Sequence, residues 1–367
     1  MNVPSSLFKP FTSEKLTLPN RIVMAPMTRG FSPNGIPGPD VADYYRRRVA
    51  GGVGLIITEG TGINHPSSVS GESIPLFYGE EALQGWANVV KAVHNVGGKI
   101  MPQLWHVGTA RRSGDLPNVS AQPVSPSGIS MAGEAAYEPL TEKEIHELVQ
   151  AYAQAAADAK RIGFDGIELH GAHGYLIDQF FWAQTNRRTD KYGGDLVRRT
   201  QFAVEVIEAC RAAVGPDFPI VLRFSQWKMG SYEAKLVESP EELKQFLEPL
   251  SAAGVDIFHC STRRFWLPEF EGSDLNLAGW TRKITGKPAI SVGSVGLEAE
   301  FVERAAEAKG TGDAHLDSLN EKMEQGEFDL IALGRVLLSD PEWPIKVKQG
   351  RNEEIIPFSN EVLSKLH

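Results

Sequence analysis

His170, His173 and Tyr175 lie close together in the sequence HGAHGY, at the end of the apolar run 166–171. Two imidazole donors aimed at one oxygen would polarise a carbonyl or nitro group, and the tyrosine two residues further on can deliver a proton. The histidines also fit two other interpretations, a pair of hydrogen-bonded core side chains and a pair of metal ligands. No set of acidic partners with ligand spacing accompanies them. From these residues alone, core histidines rank first, oxygen binding second and metal binding third.

Arg223 lies inside another apolar run, 219–225. It is either a strand-end arginine paired with a carboxylate, or a fixed positive charge beside a cofactor that becomes anionic on reduction. A reduced flavin carries its charge near N1 and the C2 carbonyl, and a guanidinium is always protonated. An inward position on a barrel strand favours the second interpretation.

Glycines end the last two apolar runs, in Gly293-Ser294 and in Gly334-Arg335. Such glycines either close tight turns or let backbone N–H groups approach a phosphate, to which Arg335 adds a charged contact. An arginine directly after a buried strand favours the phosphate, because a buried guanidinium without an anion is costly.

Eight apolar runs position these residues, and each is followed by a stretch with helical spacing. The runs are 21–26, 55–60, 99–105, 166–171, 219–225, 257–262, 288–294 and 330–335. They show little alternation, as expected of strands buried on both faces. Strands that alternate with helices and have no linker between them predict the α/β class, as a single (β/α)8 TIM barrel over residues 1–367. The polar residues then converge on one mouth, at the carboxyl ends of the strands.

Two helix starts and two long connections complete this prediction. The sequences beginning at Thr141 and at Ser239 predict capping boxes, the second with proline at the first helical position. Residues 107–140 are rich in Gly, Ser and Pro, and we expect them to cap the barrel mouth after strand three. Residues 308–325 predict an extra polar helix that faces solvent.

Composition excludes several classes of function. The net charge of −9 argues against a general binder of nucleic acid, which needs a basic face. Cys210 and Cys260 form no CxxC pair, so we expect no iron–sulfur or zinc–thiolate site, no metal and no disulfide framework. No secretion signal and no run of 18 apolar residues is present, so we expect a cytoplasmic protein without a membrane partner.

Taken together, these motifs resemble the old yellow enzyme family of FMN-dependent NADH:flavin oxidoreductases, or ene-reductases. The resemblance extends over almost the whole chain. It is carried by LFKP at 7–10, LPNR at 18–21, MAPMTR at 24–29, QLWHVG at 103–108, HGAHGY at 170–175, NRRTDKYGG at 186–194, RRTQF at 198–202 and GR at 334–335.

The resemblance implies a role for each matching residue. Tyr175 is the proton donor, and His170 and His173 hold the substrate oxygen. Trp105 shapes the pocket, and the variable loop after strand six places Phe265 and Trp266 beside the substrate. The implied FMN-binding residues are Pro26, Met27, Thr28 at the flavin C4 carbonyl, Gly60, Gln103 at the pyrimidine edge, Arg223 at N1, and Gly293, Ser294, Gly334 and Arg335 at the phosphate.

The chain follows one branch of the family at two positions. Some members have cysteine where Thr28 stands, and threonine removes a redox-sensitive contact. Many have asparagine where His173 stands. A histidine replaces that asparagine only by donating an N–H to the same oxygen, so its tautomer matters.

The implied activity is the reduction of activated C=C bonds in α,β-unsaturated carbonyl compounds and nitroalkenes, with nitro compounds and nitrate esters as further substrates. Non-covalent FMN is the implied cofactor, NADPH or NADH the reductant, and a small molecule with an activated alkene the partner. We expect a monomer or homodimer. The alternatives are a metal-dependent barrel hydrolase using His170 and His173, and a flavin-binding protein without turnover. A multi-domain dehydrogenase with an iron–sulfur cluster is not expected from two cysteines and a chain that ends at His367.

Overall fold

Eight parallel strands form a closed barrel in the computed structural model, which describes residues 5–297 and 312–366. The strands follow each other in chain order, and the last pairs with the first. They are β1 (Ile22–Met24), β2 (Leu55–Gly62), β3 (Ile100–Trp105), β4 (Ile167–His173), β5 (Ile220–Lys228), β6 (Ile257–Ser261), β7 (Ala289–Val292) and β8 (Leu330–Leu333). Every residue of the eight strands is buried, except the last residue of β4 and the last residue of β7. The predicted (β/α)8 barrel is confirmed.

Helices surround the barrel and pack against it. They are α1 (Pro39–Ala50), α2 (Glu80–His94), α3 (Glu142–Ile162), α4 (Leu176–Phe181), α5 (Gln201–Val214), α6 (Pro240–Ala253), α7 (Leu277–Thr285), α8 (Leu316–Glu324), α9 (Arg335–Ser339) and α10 (Trp343–Lys348). None of the helices within the described ranges is both long and apolar enough to cross a lipid bilayer.

The predicted helix starts are confirmed with one correction. Thr141 and Glu144 form both bonds of a capping box at α3. At α6, the Ser239 hydroxyl accepts from the N–H of Glu242, 3.2 Å away. The Glu242 carboxylate instead accepts from the N–H of Glu238, one residue before the cap. The start of α6 therefore has the serine cap of a capping box, but its glutamate bonds the residue before the cap instead of the cap itself.

The barrel interior is apolar at the amino-terminal ends of the strands and polar at their carboxyl ends. An N-terminal hairpin, Phe11–Thr12 paired with Thr17–Leu18, packs Phe11 and Leu18 against residues near the strand starts, such as Leu55. This hairpin closes the amino-terminal end of the barrel. Polar side chains are therefore left to the carboxyl end, where barrel enzymes carry their active sites.

Residues 107–140 form an irregular segment fixed by two arginines. The fully buried Arg111 guanidinium donates to the carbonyls of Val69, Leu116, Asp115 and Asn118. Arg188 donates to the carbonyls of Pro126 and Leu140. The segment thus packs on the loop that follows α4. Its role as a cap over the mouth stays a prediction, as does the single domain over 1–367.

The predicted solvent-facing helix at 308–325 needs correction. Residues 308–311 lie outside the described residues, and the helix that follows is α8. Leu316, Leu319 and Met323 on this helix are buried. Because those three side chains recur at helical spacing, one side of α8 packs into the core and only the other faces solvent.

Candidate active site

A cavity of about 450 Å³ opens at the carboxyl ends of the barrel strands. It is bounded by the ends of seven strands and by a segment near the C-terminus. Most of the predicted site residues line it: Pro26, Met27, Thr28, Gln103, Trp105, His170, His173, Tyr175, Arg223, Gly293, Ser294, Gly334 and Arg335. Predicted residues that span more than 300 positions of the chain therefore meet in one cavity.

Three predicted residues do not line the cavity. Gly60 lies behind Trp105, and a Cβ atom at this position would come within 2.6 Å of the indole ring. The absence of a side chain at Gly60 makes room for that ring, and its assignment to the FMN site stays a prediction. Phe265 is fully buried in the core, and Trp266 stacks on His315 with ring centroids 3.8 Å apart. The loop after β6 instead contributes Thr262 and Arg263 to the cavity wall.

His170 presents one defined nitrogen to the cavity. Its Nδ1 accepts the backbone N–H of Ala172, 3.3 Å away. Burial lowers the pKa of His170 well below its ordinary value, and the charge of Arg223 lowers it further. The ring is therefore neutral near pH 7, and because Nδ1 accepts, the proton lies on Nε2. His170 is a hydrogen-bond donor at that nitrogen.

His173 stands on a bulge of β4. The register with β5 shifts between Gly171 and His173, and His173 has a φ of 64°, which is uncommon for a residue other than glycine. The bulge re-aims the side chain, and so both histidines reach the same cavity, with ring centroids 5.2 Å apart. Burial, followed by the charge of Arg223, also lowers the pKa of His173 well below its ordinary value.

A buried ion pair holds this bulge in place. Lys228, the last residue of β5, pairs with His173 in the strand register, and its Nζ lies 2.7 Å from Asp178 Oδ1. Both side chains are fully buried. The other carboxylate oxygen of Asp178 accepts the N–H of Gly174, at 2.6 Å. The pair therefore fastens the turn between His173 and Tyr175 to the neighbouring strand.

Aromatic rings surround the two histidines. Trp227 stacks on His173 with ring centroids 4.3 Å apart, and Trp105 is parallel to His170 at 6.1 Å. The Tyr175 ring meets Trp105 edge-on at 4.9 Å, and its hydroxyl lies 3.2 Å from the sulfur of Met229. These contacts fix the directions of all three polar side chains, as a catalytic constellation requires.

Arg223 lies above a buried polar layer inside the barrel. Glu168 accepts from Gln103 Nε2 at 2.8 Å and contacts His259 Nδ1 at 2.6 Å. One guanidinium nitrogen of Arg223 donates to Ser261 Oγ, 3.1 Å away. Arg223 Nε and His259 Nε2 are buried and have no hydrogen-bond partner among the described residues. Of these two residues only Arg223 lines the cavity, so its buried Nε is the atom that a polar ligand bound there could satisfy.

The opposite end of the cavity is built from backbone turns. A Cβ atom at Gly293 would come within 2.8 Å of Thr262 Oγ1, so only glycine fits. Ser294, the next residue, has a φ of 57°, a conformation that turns successive N–H groups toward one side. Gly334 precedes α9, and Arg335 is its first residue. Glycine turns beside an arginine fit a phosphate group.

Sequence reasoning missed several cavity residues. Trp227 and Met229 belong to the part of β5 and its loop that lies beyond the predicted run, and Ser261 ends β6. Phe358, Asn360 and Leu363 come from the C-terminal segment, which contained no recognised motif. Arg29 Nη2 fastens this segment by donating to the carbonyls of Val362 and Lys365. The position of Arg29 after MAPMT does not indicate that its side chain binds the backbone of the C-terminal segment.

The donor set of the cavity does not favour a metal. No Asp or Glu of the described ranges lines the cavity, and His173 Nε2 already contacts a serine hydroxyl at 2.7 Å. Across residues 5–297 and 312–366, no three or more His, Cys, Asp or Glu side chains gather as a metal site would need.

Comparison with known proteins places this geometry among flavin enzymes. The model of the NADH:flavin oxidoreductase / NADH oxidase family matches residues 6–354. A curated NADH oxidase of Thermoanaerobacter brockii is 37% identical over 361 residues, which is 95% of this chain and 52% of that protein. This chain thus spans about half the length of that relative.

Two solved structures are similar over nearly their full lengths. The structure of morphinone reductase in complex with tetrahydroNAD has a TM-score of 0.80 and 28% identity, covering 97% of this chain and 93% of the other. An old yellow enzyme homologue from Zymomonas mobilis has a TM-score of 0.78 and 26% identity, with coverages of 98% and 96%. The cavity described above lies in the same fold as theirs.

Proposed function

This chain belongs to the NADH:flavin oxidoreductase / NADH oxidase family, and from that premise we propose that it reduces activated C=C bonds of α,β-unsaturated carbonyl compounds and nitroalkenes. The family uses FMN, with NAD(P)H as reductant. The proposed cycle is ping-pong, with NADH or NADPH leaving before the substrate enters. Nitro compounds and nitrate esters extend the proposed range of substrates.

The observation that carries this proposal is the pair of neutral histidines beside a tyrosine hydroxyl in one cavity. The Nε2–H of His170 and the ring of His173 converge on the same space. Two such donors draw electron density from a carbonyl or nitro oxygen and make the β-carbon of the alkene electrophilic. Tyr175, with its ring 4.8 Å from that of His170, then protonates the α-carbon.

The residues present fit FMN. In our proposal Thr28 and Gln103 bond the pyrimidine part of the flavin, and Arg223 lies beside N1, where its orphaned Nε finds a partner. The remaining contacts come from Pro26 and Met27, and from Gly293, Ser294, Gly334 and Arg335 at the phosphate. The chemistry that bound FMN supplies is hydride transfer, from NAD(P)H to N5 and from N5 to the β-carbon. Trp105 forms a wall of the substrate space.

An absorbance experiment tests the function. Purified protein with FMN is reduced anaerobically with NADH or NADPH, and 2-cyclohexenone is then added. We expect the yellow band to bleach and then to return. A protein that takes up no FMN contradicts the cofactor assignment. A yellow protein whose reduced form is never reoxidised by enones or nitroalkenes is a flavin-binding protein without this turnover.

Tyr175→Phe tests the proton donor. Enone reduction should fall by about 100-fold or more, since general acid catalysis contributes that much. Nitroalkene reduction should fall less, because the nitronate product is stable enough to leave and to take its proton from water. Stopped-flow reoxidation of the reduced enzyme measures both rates. Equal losses on both substrates, with FMN still bound, would remove Tyr175 from the donor role.

A further inference from the structure

Ser261 connects the two functional parts of the cavity, and no sequence motif pointed to it. It is the last residue of β6, and only 2% of its surface is exposed. Its hydroxyl oxygen lies 3.1 Å from Arg223 Nη2 and 2.7 Å from His173 Nε2. One small side chain thus contacts both the arginine proposed to face the flavin and a histidine proposed to hold the substrate.

The hydrogen bonds of this hydroxyl can be assigned from the chemistry of its partners. A guanidinium has donors only, so Ser261 Oγ accepts from Arg223. The hydroxyl has one proton to donate, and His173 Nε2 is the one acceptor that contacts it among the described residues. The opposite arrangement, with Nε2–H donating to the oxygen, would leave the hydroxyl proton without an acceptor among the described residues. A buried donor without a partner is destabilising.

We propose that Ser261 is a positioning residue, which donates to His173 Nε2 and thereby holds this ring in the Nδ1–H tautomer. The proposal rests on the proposed function, in which His173 must donate to the substrate oxygen. Arg223 contributes by occupying a lone pair of the hydroxyl, so that the proton points toward the histidine. The backbone N–H of His173, which donates to Ser225 Oγ at 2.9 Å, keeps the residue in place.

The consequence is that both histidines are donors, through different nitrogens. A backbone N–H sets His170 to its Nε2–H form, and a serine hydroxyl sets His173 to its Nδ1–H form. Without the hydroxyl, nothing among the described contacts distinguishes the two nitrogens of His173. Its Nε2–H form, which offers the substrate a lone pair instead of a donor, would then become populated.

Nitrogen NMR tests this directly, without a measurement of turnover. The FMN-loaded protein is labelled with 15N-histidine, and long-range 1H–15N correlations are recorded for the ring nitrogens. A His173→Asn variant assigns the signals. We expect a protonated Nδ1 and an unprotonated Nε2 for His173 in the unaltered protein. A protonated Nε2 in that spectrum would overturn the proposal.

Three serine variants separate a tautomer effect from a packing effect. Ser261→Ala should shift His173 toward the Nε2–H form, and Ser261→Thr, which keeps the hydroxyl, should retain the original pattern. Ser291→Ala is the matched control. Ser291 is a fully buried serine on the adjacent strand that contacts Asn276 instead of the site. An Nδ1–H fraction in Ser261→Ala equal to that of the unaltered protein would refute the assignment.

Kinetics then connect the tautomer to the proposed reaction. Ser261→Ala should lower kcat/KM for an enone by about tenfold, the factor that one hydrogen bond of ordinary strength supports. Ser261→Thr should recover most of that loss, and Ser291→Ala should show none. If the protein reduces no enone at all, the proposed function fails while the NMR result still stands. If it reduces enones and Ser261→Ala is unaffected, the positioning role fails alone.

Discussion

At one end of the cavity, His170, His173 and Tyr175 are aimed by other side chains: stacked indoles, a serine hydroxyl and the buried pair of Lys228 with Asp178. At the other end, Gly293, Ser294 and Gly334 offer backbone N–H groups in tight turns. The first end depends on charged side chains that are fully buried. The second end depends on the backbone conformation of its glycine-containing turns.

This difference decides how each end tolerates substitution. A side chain held by a buried ion pair loses its direction when either charge is removed, because the remaining charge is left uncompensated. A backbone turn loses its shape when a Cβ atom collides with its neighbours, or when the segment packed on it moves.

Lys228→Met should produce the largest effect, at the side-chain end. It leaves the carboxylate of Asp178 fully buried without its cation, so the free energy of unfolding should fall by about 3–5 kcal/mol. Urea denaturation measures this loss. The double variant Lys228→Met/Asp178→Asn should recover part of it, because no charge then remains buried.

A second buried pair provides the matched control. Lys346 lies 2.7 Å from Asp340, with 9% and 2% of their side chains exposed, and neither residue lines the cavity. Lys346→Met should also reduce stability but should lower enone reduction by the folded enzyme much less than Lys228→Met does. Lys228→Met should reduce both. If the two variants have the same activity per folded molecule, the pair at Lys228 does not position His173 and Tyr175.

Glu59 provides a test at a third place, the turn after β1, where a buried carboxylate holds backbone N–H groups. Its carboxylate accepts the N–H groups of Arg29 and Gly30, at 2.8 and 3.0 Å, directly after Thr28. Burial raises the pKa of Glu59 to about 7, and those two N–H groups lower it only in part. Since the folded pKa lies above the unfolded value, the stability from this group is complete below about pH 4.5 and is lost as the pH rises through 7.

The stability of the Glu59→Gln variant, relative to the unaltered protein, should therefore increase as the pH rises. Relative to the unaltered protein, its free energy of unfolding should gain on the order of 2–3 kcal/mol between pH 4.5 and pH 8. Denaturation curves of both proteins at the two pH values give this difference, with Glu144→Gln, at an exposed capping box, as the comparison. A difference that does not change with pH would mean that Glu59 stays ionised when folded.

The two ends also differ in how far the sequence predicted them. The barrel, the family and the FMN cofactor are confirmed, because eight apolar runs and ordered motifs suffice to indicate them. The side-chain types of His170, Tyr175 and Arg223 indicate which chemistry each can perform. Their convergence was predictable because the carboxyl ends of barrel strands meet at one mouth. The individual roles of these residues stay predictions.

What the sequence did not predict depends on contacts between distant parts of the chain. Leu363 reaches the cavity because Arg29 binds the carbonyls around it, and no local pattern encodes such a contact. The position of Ser261 became meaningful only when the bulge in β4 turned His173 toward it. Phe265 and Trp266 were assigned by family position, whereas the local chain turns them into the core and onto His315.

Arg335→Lys should have the smallest of these effects, and it tests the backbone end directly. If glycine turns supply most of the phosphate contacts, replacing the planar guanidinium by an ammonium removes only the second bond of a bidentate contact. The dissociation constant for FMN should then rise by about five- to tenfold, roughly 1 to 1.4 kcal/mol. Fluorescence titration of the apoprotein with FMN measures it. Arg282→Lys, whose parent side chain pairs with Asp329 away from the cavity, should leave FMN binding unchanged. A loss of several hundredfold in Arg335→Lys would show instead that this end, like the other, depends on one buried charge.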